Sequence, residues 1–145
     1  MNVLILQEEE YYTYLSNIFS VLKNEQLKYN WLITDCECYP NDKNIDDLLS
    51  QKYVWASGKE LSEIISKEDP QFIWGVFLGF NSDISLEDVL KYDIPLCEYY
   101  KDVIEGNVIT KHPLSELEII AWDSSLALLI TKDNRLAENI KKTLA

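Results

Sequence analysis

The chain has 145 residues, with 25 acidic side chains against 13 basic ones and a formal charge of −12. At 47% apolar and 12% aromatic it is too rich in core-forming residues to be an acidic disordered tail, and its length predicts one domain that buries roughly 70% of its unfolded surface. Basic character is confined to Lys and the single Arg135, with acids interleaved throughout, which excludes the basic stripe that nucleic acid requires and disfavours anionic membrane surfaces.

In chain order, Val3 to Leu6 reads as a short strand with no cationic lead, followed by Glu8, Glu9 and Glu10. This is the pattern of neither a signal peptide nor a membrane span. A helix is predicted from about Glu9 to Asn24, with Tyr11, Leu15, Ile18, Phe19 and Leu22 on its buried face and Thr13, Ser16, Asn17 and Ser20 outward. The acidic triplet would then sit where the helix dipole favours negative charge.

Tyr29 to Tyr39 reads as a strand with Tyr29, Trp31, Ile33, Asp35 and Glu37 on one face and Leu32, Thr34, Cys36 and Cys38 on the other. A loop at Pro40 to Asn44 precedes a short helix near Ile45 to Ser50, and Tyr53 to Ala56 forms a strand. Ser57-Gly58-Lys59-Glu60 has the form of a capping box, opening a helix on Leu61, Ile64 and Ile65 that Asp69-Pro70 ends.

Gln71 to Phe80 is the most apolar stretch. Phe72, Trp74, Val76, Leu78 and Phe80 share one face, with Ile73 and Phe77 on the other, as expected of a central strand. Gly75 and Gly79 fall on that second face, where they would let a helix or neighbouring backbone approach. Ser85 to Asp88 opens a short helix near residues 85–92, and Asp93 to Pro113, lacking a clean period, reads as a long surface excursion.

Leu117 to Trp122 and Leu126 to Thr131 form a hairpin across Asp123-Ser124-Ser125, and Asp133 caps a last helix from about Asn134 to Leu144 with Leu136, Ile140 and Leu144 on one face. The order of elements predicts an α+β fold, one domain over residues 1–145, with a mixed or mainly antiparallel sheet of about five to six strands carrying helices.

The chemistry-bearing residues point to binding rather than to a reaction. Cys36, Cys38 and Cys97 are odd in number and fit free thiols in a reducing cytoplasm. With the lone His112 they form one C-x-C and two stragglers, not the spacing of a zinc site. No phosphate cradle, nucleophile elbow or EF-hand loop is present, so neither metal nor cofactor is expected. Asp35 and Glu37 form a carboxylate pair that would divide acid and base roles if they faced a concave site, or bind a metal together with Asp42, Asp46 and Asp47; the plainer reading of the same five acids is a solvated acidic rim. Trp31, Trp55, Trp74 and Trp122 all fall in strands, where core packing is the default. Tyr99 and Tyr100 lie among Glu98, Asp102 and Glu105, and either fold back onto the core or present rings to a partner that the carboxylates steer in.

Four stretches carry a family resemblance: Asn30-Trp31-Leu32-Ile33 followed by acids, Trp55-Ala56-Ser57-Gly58-Lys59-Glu60-Leu61, Gln71-Phe72-Ile73-Trp74-Gly75-Val76-Phe77, and Ile119-Ile120-Ala121-Trp122-Asp123-Ser124-Ser125. Across most of the chain they resemble small acidic immunity proteins of bacterial polymorphic-toxin systems, contact-dependent or secretion-delivered. The resemblance implies a non-enzymatic, cytoplasmic protein that binds and neutralises one cognate toxin domain, made by the same cell or its kin. It supplies no interface residues. Charge and the interleaving of acid with tyrosine make Asp35, Glu37, Asp42, Asp46, Asp47, Glu98, Tyr99, Tyr100, Asp102 and Glu105 the candidate partner-binding set for a basic toxin domain. Two alternatives stay open: a regulatory or assembly domain that pairs as a homodimer through an apolar patch, and an enzyme using Asp35 and Glu37.

Overall fold

A sheet that is apolar on both faces needs a cover on each, and the chain supplies two covers of different build. The computed structural model describes residues 2–6, 13–107 and 109–144. Among them, strands β1 (Asn2–Leu6), β2 (Tyr29–Glu37), β3 (Tyr53–Ser57), β4 (Trp74–Asn81), β5 (Leu117–Trp122) and β6 (Leu126–Thr131) form one six-stranded sheet in the order β1-β6-β5-β4-β2-β3. Every pairing is antiparallel, and β5 and β4 hold the centre, as the apolar run ending at Phe80 predicts. The fold is α+β.

The helices in chain order are α1 (Leu15–Leu22), α2 (Lys43–Leu49), α3 (Gly58–Lys67), α4 (Leu86–Val89), α5 (Lys101–Ile104) and α6 (Asn134–Leu144). On the first face, Leu15, Ile18 and Leu22 of α1, Ile45 and Leu49 of α2, Leu61 and Ile65 of α3, and Leu136 and Ile140 of α6 close over Trp31, Ile33, Phe77, Ile119 and Leu129. These are amphipathic helices whose apolar stripe has one partner, the sheet. Each cap does its local work. Ser57 and Glu60 form both halves of the capping box, Asp42 accepts from the Ile45 N–H, Ser85 accepts from the Asp88 N–H, and Asp133 accepts from Arg135 and Leu136.

On the second face, Val89, Cys97, Tyr100 and Val103 pack on Leu32, Val76, Leu78, Phe80, Ile120, Leu128 and Ile130. The stretch from Asp93 to Pro113, expected as a surface excursion, is therefore the second cover. It lacks a clean period because it is built from single turns: a 3-10 turn at Cys97–Tyr100 runs straight into the four-residue α5.

Four local expectations are corrected. Helix α1 starts at Leu15, because Thr13 and Tyr14 run extended beside Gln71 and Phe72, with the Phe72 N–H donating to the Thr13 carbonyl at 2.9 Å. Thr13 is buried rather than outward, and Glu8, Glu9, Glu10 and Tyr11 lie outside the described residues. Phe72 precedes β4 and turns to the first face, edge-on to Phe77 with ring centroids 4.9 Å apart. The space over Gly79 is taken by the Trp31 ring and that over Gly75 by the Phe77 and Phe72 rings, not by a neighbouring backbone. Leu144 extends the α6 stripe past the edge of its cover and stays exposed.

Of the four tryptophans only Trp31 is fully buried, its indole N–H donating to the Gln26 carbonyl at 3.0 Å. The same carbonyl fixes the start of α3, because a Cβ on Gly58 would stand 2.2 Å from the Gln26 oxygen and 2.7 Å from the Leu27 Cα. Both obstacles are backbone and cannot rotate away. Gly58→Ala is expected to cost about 3 kcal/mol in urea titrations, as overpacking against a rigid neighbour does. A loss below about 1 kcal/mol would show that the 3-10 turn at Glu25–Lys28 yields freely.

Candidate functional site

The strongest departure from simple alternation sits in β2. Thr34 pairs with Val76 and Glu37 with Trp74, so three steps on β2 match two on β4. The extra residue makes a bulge, and Asp35 carries it with φ of 53° in the left-handed region. Beyond a one-residue insertion every side chain changes face. Cys36 and Cys38, expected opposite Trp31, instead pack with it against the first-face core. Asp35 and Glu37, expected beside Trp31 and Ile33, line a cleft on the second face with Trp74. The Asp35 carboxylate holds the cover there, accepting from the Cys97 N–H at 2.8 Å.

That cleft has a volume of about 490 Å³, within the range of small-ligand sites, and is lined by Asp35, Cys36, Glu37, Trp74, Leu96, Cys97, Glu98, Lys101 and Trp122. Trp74 at the start of β4 and Trp122 at the end of β5 meet edge to face, with centroids 4.9 Å apart and planes at 70°. Both are partly buried, so they are walls of the cleft rather than core. The three-residue β5–β6 connection beyond Trp122 places Asp123 (φ 49°) and Ser124 (φ 58°) in the left-handed region, as a type I′ turn closed by the Ser125 N–H on the Trp122 carbonyl demands of its central positions. Thr13 and Gln71 hold that turn by donating to the Ser124 carbonyl at 3.3 and 3.4 Å.

Of the sequence-derived candidates, Asp35, Glu37 and Glu98 converge on the cleft. Tyr99, adjacent to Glu98, is 48% exposed, whereas Tyr100 is fully buried. This removes Tyr100 from the accessible set. Asp102 on α5 pairs with Lys111 at 2.7 Å, which with Asn107 holds its carboxyl below the usual carboxylate range, and Glu105 is exposed at the end of α5. Asp42 is committed to capping α2, Asp47 pairs with Lys43 at 3.1 Å, and neither these nor Asp46 lines the cleft.

Glu118 is the polar residue that sequence reading passes over. It is fully buried in β5, and it accepts from the Tyr100 hydroxyl at 2.7 Å, the Lys111 N–H at 2.8 Å, the His112 N–H at 2.9 Å and the Ser115 hydroxyl. The available signal was a lone carboxylate inside the apolar run Leu117-Glu118-Ile119-Ile120. Burial, then the neighbouring Glu118 carboxylate, pushes the Tyr100 phenol far up. His112 is buried too: the Leu114 N–H donates to Nδ1 at 3.1 Å, so Nε2 carries the proton and donates to the Val89 carbonyl at 3.0 Å. It packs on Phe80 and Tyr92, across the sheet from Cys36 and Cys38.

Chemically the cleft offers three carboxylates, two indoles and the Lys101 ammonium; Asp35 and Glu37 do face a concave site, each already accepting a hydrogen bond, from the Cys97 N–H and the Tyr39 hydroxyl. Burial, assisted by neighbouring charge, pushes the Cys97 thiol up to about 12 and Cys36 higher still, so neither is a thiolate at neutral pH. His112 has both nitrogens committed. Among the described residues no group of His, Cys, Asp and Glu could hold a metal ion.

Two outcomes follow from the buried groups. Glu118→Gln must turn an amide NH2 toward either the Lys111 or the His112 N–H, and is expected to cost about 3 kcal/mol, against about 1 kcal/mol for Tyr100→Phe, in urea unfolding. Equal and small losses would show that the carboxylate is not the pin. The thiols at Cys38 (about 11) and Cys97 (about 12) and the Tyr29 phenol (about 12) are all raised, chiefly by burial, from ordinary values of 9.0 and 10.0. Each therefore keeps its proton longer when folded. Stability from these groups is full below about pH 9 and is lost as pH climbs through their folded values. A urea midpoint that stays flat between about pH 8 and 11 would contradict this.

The family described as "Protein of unknown function (DUF2691)" matches residues 2–101, which takes in Asp35, Glu37, Trp74 and Glu98 and stops short of Glu118 and Trp122. No curated protein and no solved structure matches the chain.

Proposed function

The chain belongs to the DUF2691 family, and from its site we propose that it is a binding protein for a basic protein domain, acting as an immunity protein that neutralises a cognate bacterial toxin by direct contact. The observation that carries this reading is the convergence of Asp35, Glu37 and Glu98, from separate stretches of chain, on one aromatic-walled cleft. The net charge of −12 adds a long-range field that draws a cationic partner in. Exposed Tyr99, beside Glu98, supplies a ring that keeps its hydroxyl wet while its body is buried on docking.

In this reading the protein is not an enzyme. The thiols beside the cleft are held protonated, the one imidazole is locked in the second cover, and the Asp35 and Glu37 carboxylates already accept from the Cys97 N–H and the Tyr39 hydroxyl, which favours recognition over acid–base work at the concave face they share. A reducing cytoplasm suits Cys36, Cys38 and Cys97 as free thiols. Among the described residues no helix is long and apolar enough to cross a membrane.

The test is co-expression with the toxic C-terminal domain encoded beside this gene, together with stopped-flow association of the purified pair. Protection of the cell is expected, with an association rate that falls steeply between low and physiological salt as charges beyond about 8 Å are screened. Changing Glu37, Glu98 and Glu105 together to Gln should slow association several-fold, while Tyr99→Ala should mainly raise the dissociation rate. Asp47→Asn on α2 should change neither. An acidic partner, a salt-independent association rate, or no protection by any neighbouring gene pair would overturn the proposal.

A further inference from the structure

We propose that the cleft receives one arginine side chain of the basic partner, its guanidinium lodged against the joined indoles of Trp74 and Trp122 and bonded to the carboxylates of Asp35, Glu37 and Glu98. This deepens the reading above and rests on the partner being a basic protein.

Shape, charge and surface chemistry argue for the same occupant. The cleft is a concavity of about 490 Å³, room for a long side chain and its flanking backbone. Its aromatic wall is two indoles at 70° to each other, so a cation seated there meets one ring on its face and the other beside it, the arrangement that draws cations through the ring quadrupole. Its charged lining is three carboxylates and the single ammonium of Lys101, a local excess of two negative charges. Asp35 uses Oδ2 for the Cys97 N–H and Glu37 uses Oε1 for the Tyr39 hydroxyl. A carboxylate has about four acceptor positions, so both keep capacity for a donor from outside.

Arginine fits this combination better than lysine. Its planar, weakly hydrated guanidinium stacks on an indole while its edge offers a fork of donors to carboxylates, whereas an ammonium is compact and strongly hydrated. The chain's own Arg135 is on α6, beside a different hollow with Glu25, Lys28 and Asp133, and does not line the cleft.

The experiment titrates the full chain, labelled with nitrogen-15, with capped triarginine, trilysine and tricitrulline peptides, and follows the indole N–H signals. Triarginine is expected to shift Trp74 and Trp122 while leaving Trp31, whose indole N–H is spent on Gln26, in place. It should bind about tenfold more tightly than trilysine, and Glu37→Gln with Glu98→Gln should weaken it about tenfold at unchanged melting temperature, while Trp122→Phe, which also loses packing on Trp74, should weaken it about tenfold with the chain still folded. Equal affinity for trilysine, binding of the uncharged tricitrulline, or shifts spread evenly over all four indoles would overturn the assignment. Failure here is distinguishable from failure of the immunity reading. If the double Glu variant loses the peptide yet still protects cells, arginine seating is not part of the interface and immunity stands. If the peptide binds as described and no toxin is neutralised, the cleft stands and the immunity reading falls.

Discussion

The second cover of the sheet has little secondary structure of its own, and a buried carboxylate holds it in place. Four-residue turns cannot be stable in isolation, because the cost of nucleating a helix is recovered only over several turns. The Cys97–Tyr100 turn, α5 and the Lys111–Ser115 segment nevertheless lie ordered on the apolar face of β4, β5 and β6. Glu118 reaches up from β5 and accepts from Tyr100 in one piece of the cover and from Lys111, His112 and Ser115 in the other, tying both pieces, which the Asp102–Lys111 ion pair also joins, to one strand. Two backbone N–H groups and two hydroxyls replace the solvation that a buried charge would lose, and without them the burial would be prohibitive. His112 adds a second tie through the Val89 carbonyl.

The candidate site depends on that cover being held down. Leu96, Cys97, Glu98 and Lys101 form one bank of the cleft and belong to the cover, while Asp35, Glu37, Trp74 and Trp122 form the other and belong to the sheet. The Asp35 carboxylate bridges the banks through the Cys97 N–H. The bulge that turns Asp35 toward the cover also turns Glu37 to the same side and sends Cys36 and Cys38 to the first-face core. One inserted residue thus turns the acids toward the cleft and packs the half-buried thiols against the first-face core. A non-glycine residue at φ of 53° stores strain, and the hydrogen bond to the cover offsets it.

The two faces differ in what stabilises them. The first is closed by amphipathic helices, of which α2, α3 and α6 carry side-chain N-caps and α1 does not, so burial dominates and polar contacts only finish the termini. The second relies on directed hydrogen bonds inside a low-dielectric layer, where each is stronger and each omission dearer. The candidate residues Glu98 and Tyr99 sit exposed at the rim of the second, carried on a turn anchored by buried Cys97 and Tyr100 on either side. A buried anchor on each side of an exposed turn limits the ordering cost when a partner docks.

Local patterning determined the main strands and longer helices, the capping box at Ser57, the N-cap at Ser85, the hairpin around Asp123, the central position of the strand that contains Phe80 and the acidic character of any interface, because helix caps, period and charge are properties of a few neighbouring residues. Tertiary structure decided the rest. The start of α1 moved to Leu15 because the backbone of residues 13–14 found partners near Gln71, far along the chain. The facing of Asp35, Glu37, Cys36 and Cys38 inverted because a bulge is a mismatch between two strands and leaves no mark on one of them alone. Tyr99 and Tyr100, equal in the sequence, were separated by the turn that carries them, one left in solvent and one seated on Glu118, which lies 18 residues further on. The cleft itself joins residues from 35 to 122, and a site assembled from such distances exists only once the sheet has brought its strands together.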